Sequence, residues 1–129
     1  MRHISRALCV MIAAAALVGA VACTQQAGRE INVKSATFTA LHSDATRAAS
    51  SPDIARLEAA YQAAGPEDDD LGTTAPGRID AVLDSGESLV ILGGGQHFQS
   101  VDLGGRQFNL NGDKLHALLA EIAAMGDTK

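Results

Sequence analysis

Tryptophan is absent from this sequence, and tyrosine occurs once, at Tyr61. Proteins that hold single-stranded nucleic acid stack bases on aromatic rings set in a basic surface. Here aromatics are few and acidic residues outnumber basic ones, 15 to 10. An acidic chain repels phosphate backbones, so nucleic acid is excluded as a partner. Large sugar-binding platforms, which also use exposed rings, are disfavoured. Cysteine is nearly as scarce: only Cys9 and Cys23 are present. Cys9 lies inside an N-terminal apolar segment, and once that segment is removed Cys23 has nothing to pair with. No disulfide framework can therefore brace the domain.

Metal and nucleophile signatures are missing too. His42, His97 and His116 stand in no H-E-x-x-H or H-x-H context, and ligation needs several donors converging on one point. The acidic run Glu67–Asp70 has contiguous carboxylates and no closing Glu, unlike a calcium loop, which alternates its ligands. It reads as a solvated loop extended by self-repulsion. "GGGQH" at 93–97 follows a strand but opens into another strand. A phosphate cradle would open into a helix. No serine sits in a G-x-S-x-G elbow. No catalytic, cofactor or metal site is assigned. The two acid–base pairings worth naming are His97 with Asp102 and, more weakly, the near neighbours His42 and Asp44.

What is present begins with Arg2 and Arg6, followed by an uncharged run from Ala7 to Cys23, "ALCVMIAAAALVGAVAC". A basic start, an apolar centre and small residues at the end make a secretory signal. The run is Ala-rich and shorter than the ~20 residues of a spanning helix. Ala20-Val21-Ala22 fits the small-x-small rule of ordinary signal cleavage. The segment also resembles the lipobox of bacterial lipoproteins on Val21, Ala22 and Cys23, with Ala20 where that family usually has Leu. The resemblance covers the first 23 residues alone. It implies that Cys23 is acylated and becomes the first residue of a chain anchored in the cell envelope. Each buried methylene contributes about 0.8 kcal/mol, so two or more acyl chains hold stably. Thr24, in place of the Asp that marks inner-membrane retention, leans the expectation to an outer membrane facing the periplasm. Soluble periplasmic export and a retained apolar anchor are the other readings.

Loss of Arg2 and Arg6 removes two positive charges from a chain already at a formal −5. Residues 23–50 read as a tether holding a first strand at 31–41, "INVKSATFTAL", which can join the core. The 107 residues from Cys23 onward are near the common single-domain size, and residues 51–129 read as its globular core. Ser51-Pro52-Asp53 is a helix start, with Ser51 as cap. Ile54, Leu57, Tyr61 and Ala64 share one face, and Gly65-Pro66 is the stop, with Gly65 left-handed. "HSDATRAASS" reads as linker, and "RIDAVLD" as a short helix with Ile79, Val82 and Leu83 inward. "SLVIL" at 88–92 is a buried strand.

Gly104-Gly105 marks a two-residue hairpin. Its register pairs Leu103 with Arg106, Val101 with Phe108 and Gln99 with Leu110. Val101, Leu103, Phe108 and Leu110 then share a face, and Phe98, Ser100, Asp102, Gln107 and Asn109 take the other. Asn111 or Asp113 is positioned to cap a last helix, whose Leu115, Leu118, Leu119 and Ile122 form a stripe expected to lie across this hairpin. Gly126 ends it, and His116 is expected on its exposed side.

The expected fold is therefore α+β, a small antiparallel sheet of three or four strands with helices on one face. The expected function is non-catalytic: a lipid-anchored envelope protein that binds another envelope protein, with strand addition at a sheet edge as one mode. An inhibitor or immunity-type protein against an envelope enzyme, and a small periplasmic enzyme using His97 and Asp102, are the alternatives.

Overall fold

The computed structural model describes residues 30–67, 75–95 and 98–126. In chain order the elements are β1 (Val33–Ala40), β2 (Ala45–Ala48), α1 (Ser51–Ala63), β3 (Gly65–Pro66), β4 (Gly77–Leu83), β5 (Ser88–Gly93), β6 (Phe98–Leu103), β7 (Arg106–Asn111) and α2 (Asp113–Ala123). The fold is α+β with an antiparallel sheet, but the sheet has seven strands rather than three or four. Their order is β2-β1-β4-β5-β6-β7-β3. Strand β1 falls within the expected 31–41 segment and belongs to the core. None of the helices among the described residues is long and apolar enough to cross a membrane.

The three added strands, β2, β3 and β4, correct the sequence reading. The segment read as linker contains β2, which folds back on β1 with Ala40 opposite Ala45. Asp44 makes the reversal possible by taking φ 62°, a conformation Asp tolerates better than most residues. The segment read as a short helix is β4. Gly77, Ile79, Ala81 and Leu83 point inward in strict alternation, and Val82 is exposed. Period two therefore prevails over the helical reading. Gly65-Pro66 does stop α1, but Gly65 is not left-handed. Ala64 is the extended cap residue, and Gly65 and Pro66 continue as β3 against Asn111 and Leu110 of β7.

Helix α1 is capped by Ser50, one residue before the expected Ser51. Its hydroxyl accepts from the Asp53 N–H, and the Asp53 carboxylate accepts from the Ser50 N–H at 2.8 Å. That reciprocal box satisfies two N-terminal donors. Leu57, Ala60, Tyr61 and Ala64 are buried, with Ile54 packed at the margin. At α2 the cap residue is Gly112, which makes no side-chain cap bond. A Cβ there would lie 2.8 Å from the Ala64 Cβ, so the end of α1 leaves no room for one. Asn111 instead donates to Glu67 at 3.0 Å. Gly126 is left-handed, as a terminating glycine should be, two residues beyond the C-cap Ala124.

Both helices cover one face of the sheet. Leu115, Leu118, Leu119 and Ile122 of α2 are buried, but the helix lies chiefly over β4, with β1, β5 and β6 around it, not across the C-terminal hairpin. Glycine explains the seat. A Cβ on Gly77 would come within 2.5 Å of the Leu119 carbonyl oxygen, and one on Gly93 within 3.1 Å of the Leu119 side chain. The ends of β4 and β5 are thus low enough for the helix to settle there. Phe38, Ile79, Leu89, Ile91, Leu103 and Leu110 supply the sheet side of the core.

Candidate functional site

The second face of the sheet carries neither helix. Its side chains are set by register. One row runs Thr39, Arg78, Leu92, Ser100 and Asn109 across β1, β4, β5, β6 and β7. The neighbouring row runs Thr37, Asp80, Val90, Asp102 and Gln107. The hairpin register behind β6 and β7 is the one read from the sequence, with Leu103 opposite Arg106 and Val101 opposite Phe108.

These rows floor an open groove of about 590 Å³ bounded by Arg78 on one side and by Asp102, Gln107 and Asn109 on the other. Val90 and Leu92 form its half-buried apolar centre. Arg78 is fixed by a two-point ion pair. Its Nε donates to Asp80 Oδ2 at 2.8 Å and its Nη2 to Asp80 Oδ1 at 2.9 Å. These bonds raise the Arg78 pKa further above its ordinary value, so the guanidinium is charged at any working pH. Asp102 is held at the other end by the hairpin turn. Its Oδ1 accepts from the Gly105 N–H at 3.0 Å and its Oδ2 from Gln107 Nε2 at 3.5 Å.

Among the described residues that line the groove there is no histidine, cysteine or lysine. The arrangement presents a fixed cation, a fixed anion, amides and an apolar floor. Among the described residues no group of three His, Cys, Asp or Glu side chains converges to hold a metal ion.

The residues singled out from the sequence are dispersed. Cys23 and His97 lie outside the described residues, as do positions 68–70 of the acidic run. Asp102 belongs to the groove, bonded into its turn. Glu67 bonds to the β7 edge, its N–H donating to the Asn109 carbonyl at 3.1 Å. His42 and Asp44 are exposed in the β1–β2 turn. His116 is half-buried rather than exposed, with its Nδ1 enclosed.

Sequence reasoning placed Ser100, Asp102, Gln107 and Asn109 on the outward face. It missed Arg78, Asp80, Val90 and Leu92, because β4 was read as helical and its partner β5 as continuously buried. The alternation of "GRIDAVL" was the signal that would have found Arg78 and Asp80. In comparison with known proteins, no family model matches the chain, and no curated protein and no solved structure matches it either.

Proposed function

We propose that this is a lipid-anchored protein of the bacterial cell envelope, tethered through Cys23, whose role is non-catalytic binding of another envelope protein. The observation that carries the binding role is the helix-free sheet face. Two helices sit on one side, and the other presents a groove with a fixed ion pair and an apolar centre. A face that the described residues leave bare is surface available for contact.

The face is favoured over the edges. Edge strand β2 has only four residues, and part of the β7 edge is occupied by β3 and by Glu67. Short and covered edges are how sheets avoid strand addition. For the enzyme reading, the bonds from Asp102 to its own turn favour a positioning role in the hairpin.

The test is capture from detergent-solubilised membranes by the anchored protein, with Cys23→Ser as the unanchored control. Leu92→Arg puts a long charged side chain at the centre of the groove and leaves the opposite face untouched. A partner retained by the wild type and lost by Leu92→Arg, with melting unchanged, supports the reading. Equal capture by both overturns the groove as the contact surface.

A further inference from the structure

We propose that the groove holds a short peptide segment with free ends, lying across β4, β5 and β6 with its carboxylate at Arg78 and its ammonium at Asp102. This goes beyond the protein partner proposed above and rests on one part of that reading, that the sheet face is a binding surface. The argument is charge placement. Arg78 stands opposite Leu92, and Leu92 opposite Ser100, so the charged ends of the groove are two strands apart. Asp102 lies two residues further along β6. With strands ~4.8 Å apart and a rise of ~3.4 Å per residue, the two Cα positions are roughly 12 Å apart. An extended tripeptide spans about 10 Å, close to that separation.

Each end has bonding capacity to spare. A guanidinium has five N–H donors, and Arg78 gives Asp80 one from Nε and one from Nη2. The other three, on Nη1 and Nη2, are not used by Asp80 and can donate to a carboxylate. A carboxylate offers about four acceptor positions, and Asp102 uses one on each oxygen within its hairpin. Between them, Val90 and Leu92 provide an apolar floor for a central side chain. A simple anion would meet Asp80 and Asp102 as well as Arg78, and a simple cation would meet Arg78. A ligand carrying one charge of each sign at this spacing is complementary to both ends. Polyanions such as nucleotides are repelled by the same two carboxylates.

The test uses the full chain and the tripeptide Ala-Val-Ala as probe, in three forms: free ends, C-terminal amide and N-acetyl. Backbone amide shifts at Leu92 and Ser100 report occupancy. Each blocked form is expected to bind about tenfold more weakly, as loss of one charge-assisted contact implies. In Arg78→Gln the amide costs nothing further, and in Asp102→Asn the acetyl group costs nothing further. Equal binding of all three forms to the unaltered protein, or no shift at Leu92 and Ser100 at millimolar peptide, overturns the proposal. The blocked peptides decide it even where a substitution disturbs the fold. The two readings also separate. If Leu92→Arg abolishes capture while the peptide ends make no difference, the binding face stands and the peptide proposal falls.

Discussion

Single residues carry much of the local definition. The Ser50–Asp53 box is an example: Ser50→Ala should destabilise the domain by about 1 kcal/mol, read in a urea melt. The Asp53 carboxyl is held below its ordinary pKa first by the Ser50 backbone N–H, then by the Ser50 hydroxyl and Arg47. The Glu121 carboxyl is held low by its two-point pair with Arg56, at 2.7 Å for each bond. Both groups bind protons less readily folded than unfolded. Their stabilisation is therefore complete above the unfolded carboxylate range, about pH 4, and is lost as pH falls through the folded values. Urea midpoints for wild type and an Asp53→Asn/Glu121→Gln double variant should converge between pH 7 and pH 3. An unchanged gap across that interval would contradict the linkage. Gly77 is a further single-residue case. A methyl there meets the Leu119 carbonyl, so Gly77→Ala should destabilise by about 1–3 kcal/mol through overpacking.

At the level of elements, α2 is the main lid on the core. Leu118→Ala or Leu119→Ala should each lower stability by about 2–5 kcal/mol. A loss below about 0.5 kcal/mol in a chemical melt would be incompatible with full burial of these side chains. The stripe on α2 and the Gly104-Gly105 hairpin were legible because each rests on one strong local rule, a 3.6-residue period and a two-glycine turn. The seat of α2 was not legible. It depends on Gly77 and Gly93, which meet Leu119 only through tertiary packing, and glycine in a sequence announces flexibility more readily than close approach. Strand β4 was misread because Pro76 before it and Ser85-Gly86 after it bracket a helix as readily as a strand. With only Ile79, Val82 and Leu83 counted as apolar, Ala81 was left out of the alternation. Strand β2 carries no apolar pattern of its own: Thr46, Arg47 and Ala48 are exposed, and its pairing with β1 holds it in place.

For the molecule as a whole, the arrangement is lopsided by design of its register: one side of the sheet is thick with helices and the other is thin. Leu92→Arg is therefore expected to move the melting temperature by no more than about 4 °C, because a substitution away from the helix-covered core should change stability by about 0.5 kcal/mol. The groove was half legible. Its β6–β7 half follows from the hairpin, while its Arg78 half required β4 to be recognised as a strand. The strand order has a kinetic corollary. Strand β1 zips to β2 through a four-residue turn, yet its other flank waits for β4, matching Ala40 to Gly77 and Val33 to Leu83. During emergence from the amino end, that flank is an open ladder until the middle of the polypeptide arrives. Closing it means closing a long loop, since Gly77 lies far along the chain from Ala40, so refolding speed should track the strength of the β1–β4 seam, and Ile79→Val should slow refolding more than Val101→Ala at matched loss of stability.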